Sequence, residues 1–264
     1  MDNLLLIFLT ITSLCYGSFV NVLIYRLPNE ISILKLRSFC PNCKTFIPFY
    51  RNIPIISFVL QNGKCHSCRK KISLQYPAVE LLTGFLWFYF IIQGDTSILH
   101  TSFSIIIISF LIPLAIIDAK HLYFPISLII PLIIISISMS MIELLSFNNT
   151  NPIFGMGTAL FFLGSIYLIV KILLKLKKEE KEPMGMGDML LVVPLGIWLG
   201  PLGILLCLFL SSVLALIFWF LLYLLKDFNF SQRMPFGPYL IGISILIKVT
   251  DLSTLISVLI SQIK

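Results

Sequence analysis

The sequence predicts an all-α polytopic membrane protein of about eight transmembrane helices, with one long polar loop between the first and second. Three observations predict it. Of 264 residues, 58% are hydrophobic and 12% charged, about half the charged share of an ordinary soluble domain. The mean hydropathy of +1.00 is that of a chain that lives in a bilayer rather than around a single globular core. The 19 Lys and Arg residues are gathered into alternate stretches between apolar segments instead of being scattered.

Those apolar segments fall at about residues 4–25, 78–93, 101–117, 124–142, 153–174, 189–200, 202–225 and 236–262. The first has no Lys or Arg before it and lacks a short apolar core followed by a small-residue cleavage site. It is therefore read as a retained span and not as a removable signal. The sixth is short, and spans only if it is buried among other helices or re-entrant. In the eighth, Lys248 and Asp251 stand three residues apart. They either pair on one helix face or mark an interruption of the helix.

Charge placement gives the topology. Residues 26–76 carry nine cations, the turn at 118–121 carries Lys120, residues 171–187 carry five, and 226–235 carries Lys226 and Arg233. The intervening loops at 93–100, 143–151 and 200–201 carry none. Alternation of this kind is what the positive-inside rule produces. It predicts an N-terminus outside, a cytoplasmic loop at 26–76, and every second later turn in the cytoplasm. The net charge of +7 is then a topology signal with some attraction to anionic headgroups, and nucleic acid is excluded as a partner.

Four of the six cysteines lie in the polar loop as two Cys-x-x-Cys pairs, Cys40 with Cys43 and Cys65 with Cys68. Each pair can point two thiolates at one ion, and two pairs complete a tetrahedron, which predicts a zinc-binding loop domain with one structural Zn2+ per chain. The alternative is a pair of metal-free redox motifs. A cytoplasmic location argues against disulfides. Four sulfurs saturate the metal, so His66 is read as a solvated loop residue. Cys15 and Cys207 sit inside apolar segments and are read as small apolar core residues.

Ionisable groups at membrane depth are costly and usually functional. Asp118 ends the third span in "LAIIDAKHLYFP", and Asp188 begins the sixth in "GMGDMLL". The cation count puts both turns at the cytoplasmic face. Two carboxylates brought together there would share a proton and act as base and acid on a water attacking a peptide carbonyl. Gly185 and Gly187 would let the backbone approach a partner helix or an extended peptide closely. The plainer reading is that each Asp caps a helix N-terminus or pairs with a nearby cation.

With these residues in place, the chain resembles the bacterial prepilin peptidases, the type IV leader peptidases among the Gly-x-Gly-Asp membrane aspartyl proteases. "GSFVNVLIYRLP" (17–28), "CPNC", "NIPIISFVLQNGKCHSC" (52–68), "ISLQYPAVELLTG" (72–84), "IDAKHLYFP" (117–125), "GMGDMLL" (185–191), "LGIWLGPLG" (195–203) and "MPFGPYL" (234–240) match family segments in family order. The resemblance implies a bifunctional enzyme of the bacterial inner membrane. It would remove the leader of type IV prepilins or pseudopilins at the cytoplasmic face, then methylate the new N-terminal residue with S-adenosylmethionine. Asp118 and Asp188 take the place of the catalytic pair, and Cys40, Cys43, Cys65 and Cys68 that of the zinc ligands, in a loop associated with the methyltransferase half. Two positions depart from the family pattern. Leu190 stands where a Lys is common, and Ile126 where Asp or Asn is common.

On this reading residues 1–25 are the first helix, 26–77 the four-cysteine loop, and 78–264 the protease domain. Two other classes compete. A proton- or ion-coupled transporter would use the aspartates as relays, and would be expected to show internal repeats with charges near mid-bilayer. A catalytically silent zinc-bearing scaffold of a pilus or secretion machine would fit the departures at Leu190 and Ile126.

Overall fold

A computed structural model describes residues 3–34, 37–93, 98–147, 149–178, 184–225 and 234–252. Lys35, Lys181, Pro183, Lys226, Arg233 and the eighth apolar segment beyond residue 252 lie outside these residues. The described chain is helical, with two isolated β-bridges, Phe39 with Phe46 and Lys64 with Lys71. Its helices are α1 (Asn3–Arg26), α2 (Ile56–Leu60), α3 (Gln75–Ile92), α4 (Ile98–His121), α5 (Ile126–Phe147), α6 (Asn151–Leu176), α7 (Met186–Leu224) and α8 (Gly237–Thr250). Six of them (α1, α3, α4, α5, α6 and α7) are long and apolar enough to cross a membrane. The chain separates into two compact units, residues 1–113 and 114–264, with the division inside α4.

The 39 residues of α7 would reach about 58 Å as a straight helix, roughly twice the apolar thickness of a bilayer. The helix does not run straight. Gly200 has φ 72° and ψ 178°, a conformation that breaks the axis and is open in practice only to glycine, and Pro201 follows with no N–H to continue the ladder. The expected sixth and seventh segments are thus the two halves of α7, so that, leaving aside the short α2 of the loop, the described helices match the eight apolar segments of the sequence. The short first half is buried along Leu191, Val192 and 194–199, as a helix too short to span by itself requires.

In the first unit α1 and α3 run antiparallel. Gly84 meets Leu14, Gly17 meets the Glu80 backbone, and the Asn21 side chain donates to the Tyr76 carbonyl at 3.0 Å. The polar loop therefore leaves and returns at one end of this helix pair. Its start is fixed by buried Arg26, whose guanidinium donates to the carbonyls of Ser32, Ile33 and Arg37. Further along, Glu80 Oε2 accepts the Ile55 N–H at 2.8 Å. Ile55, at φ 62° and ψ −53°, is the centre of a γ-turn of the rarer positive-φ form, closed by the bond from the Ile56 N–H to the Pro54 carbonyl.

In the second unit α6 lies against α7 where a side chain on Gly155 or Gly196 would collide with the facing backbone, the small-residue approach common between membrane helices. The eighth segment is interrupted, not continuous: α8 ends at Thr250, and Asp251 takes a left-handed conformation. Lys248 reaches the break in α7, its Nζ donating to the Trp198 carbonyl at 3.3 Å. Of the two cysteines expected in apolar cores, Cys207 is buried, but Cys15 is exposed on α1. A thiol is apolar enough to face lipid as readily as a core.

Candidate active site and metal centre

Asp118 lies in the last turn of α4 and is buried, with 5% of its surface accessible. Its Oδ2 accepts the backbone N–H of Gly237 at 3.0 Å. Gly237 opens α8, so the carboxylate takes up one of the N–H groups that a helix start leaves without an internal partner. The capping role weighed for Asp118 is therefore real, but it serves a helix 119 residues away. Asp188 is the third residue of α7, behind an extended Gly185. There the positive end of the helix dipole favours a carboxylate.

The two carboxylates interact electrostatically. Among the described residues neither is bonded to a cation. What holds them is backbone and an aromatic ring. Phe124, in the four-residue turn between α4 and α5, lies against both Gly187 and Gly237. A Cβ on Gly187 would come within 2.5 Å of the ring, and one on Gly237 would meet the ring and stand 2.7 Å from Asp118 Oδ2. Gly185 is different: among the described residues only the Asp188 carboxylate, at 3.2 Å, comes near the place of its Cβ. The tight glycine is Gly187 and the open one Gly185, and the close neighbour of the first is a ring in its own unit. Leu190 and Ile126 are both exposed.

Chemically this is a pair of acids with backbone support on one and a dipole behind the other. Such a pair can hold a water between them and divide base and acid roles. Nothing in the sequence alone marks Phe124 or Gly237 as a site residue. Only the helix start is signalled, in "MPFGPYL", where a glycine precedes the proline that starts a helix.

The four loop cysteines come together as expected. Their sulfurs all lie within 4.8 Å of one another, with Cys40 to Cys68 and Cys43 to Cys65 each at 4.0 Å. A tetrahedral zinc–thiolate site places sulfurs about 3.8 Å apart, from bonds of about 2.3 Å, whereas a disulfide needs about 2.05 Å. The four could hold a metal ion. The two knuckles repeat one geometry: the Lys44 N–H bonds the Cys40 carbonyl, the Arg69 N–H bonds the Cys65 carbonyl, and Lys44 and Arg69 share φ 59°. Hydrogen bonds from Thr45 draw the Cys43 thiol down to about 6. The Lys70 backbone favours the Cys68 thiolate, yet burial and the three neighbouring sulfurs push that thiol up to about 11. A cation at the centre of the set would favour the thiolate form of all four.

The chain is similar to known proteins along most of its length. The type IV leader peptidase family matches residues 105–220, and the bacterial peptidase A24 N-terminal domain matches 11–93. A prepilin leader peptidase/N-methyltransferase of Myxococcus xanthus is 36% identical over 205 residues, which is 76% of this chain and 58% of that longer protein. The protein of the same description from Neisseria gonorrhoeae is 32% identical over 256 residues, 87% of this chain and 85% of its own. That from Legionella pneumophila is 29% identical, covering 86% and 85%. No solved structure matches the chain. The chain belongs to the type IV leader peptidase family, a family of proteases.

Proposed function

We propose that the chain is a membrane aspartyl endopeptidase that removes the leader of type IV prepilins or pseudopilins and N-methylates the residue so exposed. The observation that carries the protease reading is the meeting of Asp118 and Asp188 in one unit, one held by the Gly237 N–H and the other at the start of α7. Asp118 and Asp188 share one proton across a bound water. The ionised carboxylate removes a proton from the water as its oxygen attacks the scissile carbonyl. The protonated one gives its proton to the carbonyl oxygen, and the C–N bond then breaks as the leaving nitrogen is protonated. The exposed backbone at Gly185 leaves room for an extended peptide beside Asp188.

Cys40, Cys43, Cys65 and Cys68 hold a structural zinc, one per chain. A closed four-sulfur site has no open position for a water, so it stabilises the loop and takes no part in cleavage. S-adenosylmethionine supplies the methyl group for the second reaction. The positive-inside pattern supports an inner-membrane protein with its N-terminus outside and both the cysteine loop and the aspartate turns in the cytoplasm.

The test is leader removal from a full-length prepilin by the purified chain, compared with Asp118→Asn and Asp188→Asn. Each substitution is expected to lower cleavage by about 10²–10⁴-fold. Cleavage that survives either one would sink the two-aspartate mechanism. A wild-type chain that does not cleave at all would favour the silent scaffold.

A further inference from the structure

The loop between α1 and α3 contains a cleft of about 350 Å³ that neither carboxylate chemistry nor the cysteines use. Arg51, Lys64, His66 and Arg69 line it together with Tyr50 and Leu60, and no acidic residue does. Its floor is well built. α2 ends in a Schellman motif: the Gly63 N–H bonds the Phe58 carbonyl, the Asn62 N–H bonds the Val59 carbonyl, and Asn62 takes φ 49°. Gly63 rests on the Phe58 ring, and the Gln61 amide donates to the carbonyls of Ser57 and Arg51. Three permanent cations are thus held around one opening by a fixed turn.

Beside the opening the surface is apolar. Phe49 is 87% exposed, Ile56 56%, Val59 64% and Leu60 77%. On a water-facing loop such a patch would be a liability. This segment is held at the membrane end of the helix pair. Glu80, whose Oε2 binds the Ile55 N–H, lies five residues into α3, so the γ-turn is fixed about 8 Å below the start of a spanning helix. Basic groups beside large exposed apolar side chains, at that depth, are the pattern of an interfacial element.

We propose that the cleft bounded by Arg51, Lys64 and Arg69 binds the phosphate headgroup of an anionic phospholipid, with Phe49, Ile56, Val59 and Leu60 seated among the acyl chains beside it. The bound lipid clamps the cysteine loop onto the bilayer. A sulfonium-bearing methyl donor is a poorer occupant, because its cation would face three others. Each cation at a membrane surface favours anionic lipid by about 1 kcal/mol, roughly fivefold.

The experiment uses the full-length chain purified in detergent and offered dioleoyl phosphatidylglycerol and dioleoyl phosphatidylcholine in equal amounts, with retained lipid counted by native mass spectrometry. Wild type is expected to retain phosphatidylglycerol preferentially. Joint Arg51→Gln, Lys64→Gln and Arg69→Gln substitution is expected to reduce that preference on the order of a hundredfold, whereas Arg51→Lys with Arg69→Lys retains most of it. In nanodiscs, amide exchange across residues 49–60 should slow with phosphatidylglycerol relative to phosphatidylcholine for wild type and not for the triple variant, a comparison made within each protein and so independent of its stability. No preference in wild type, or an unchanged preference in the triple variant, overturns the proposal. So does slowing of the same amides by inorganic phosphate or by S-adenosylmethionine in phosphatidylcholine discs, since either would name a soluble occupant.

Discussion

The backbone N–H of Gly237 donates to Oδ2 of Asp118 across 3.0 Å, joining the last turn of α4 to the first residue of α8. The same glycine has no room for a side chain. A Cβ there would stand 2.7 Å from the carboxylate oxygen and run into the Phe124 ring. Gly237→Ala must therefore move Asp118, the ring, or the start of α8. Displacing a catalytic group by about 1 Å can cost on the order of a hundredfold in rate. The expected outcome is a loss of about that size in kcat for leader removal, with substrate binding little changed. A Gly237→Ala enzyme of wild-type rate would mean that the Asp118 carboxylate does not depend on this bond.

Gly187 makes a separable case, because the three atoms nearest the place of its Cβ all belong to Phe124. Gly187→Ala places a methyl group within 2.5 Å of the ring and should slow cleavage by pushing the Asp188 end of α7 away. If that contact is the cause, shrinking the ring should relieve it. Phe124→Ala combined with Gly187→Ala is expected to be more active than Gly187→Ala alone, a coupling between touching residues that simple addition would not give. The check is a double-mutant cycle on initial rates of cleavage, and strict additivity would remove Phe124 from the account.

How far these arrangements were legible in the sequence depends on their range. The apolar segments, the four cysteines and the two aspartates could all be read from local composition and spacing. Even the break in α7 was foreshadowed by Gly200 and Pro201. What stayed hidden was long-range. Nothing local in "MPFGPYL" says that its glycine N–H will meet a carboxylate 119 residues earlier, and nothing in "YFP" marks Phe124 as the ring that sets the clearance of two glycines. Lys248 and Asp251 show the limit from the other side. Their spacing permits a helical pair or an interruption, and no local pattern marks the left-handed backbone at Asp251 that ends α8.

The cysteine cluster carries a prediction independent of the protease. The purified chain should contain about one zinc, and Cys40→Ser or Cys65→Ser should abolish it, since each removes one of the four sulfurs a closed site requires. Because a structural metal stabilises only the folded loop, chelation should also speed proteolysis within residues 27–74 while leaving the spanning helices intact. Metal content by elemental analysis and the positions of early cuts provide the measurements. A folded wild-type chain free of metal would refute the assignment.

Lys248 supplies the last prediction. The first half of α7, which begins two residues before Asp188, ends where the axis breaks at Gly200. Lys248 Nζ donates to the Trp198 carbonyl beside that break, and a cation at a helix C-terminus also opposes the helix dipole. The ammonium feels Asp251 and Glu143 as well, and Glu143, buried on α5, accepts from the Asn149 amide at 2.8 Å. Lys248→Met keeps the length of the stem and removes the donor and the charge. A hydrogen bond from a charged group is worth about 1.5–3 kcal/mol, so thermal unfolding in detergent should occur several degrees lower. The loss has a second component, since a buried Glu143 is left with less positive charge near it. Glu143→Gln should therefore be less harmful in the Lys248→Met background than in wild type. Equal Tm for Lys248→Met and wild type would show that the break in α7 is held by packing at Gly155 and Gly196 alone.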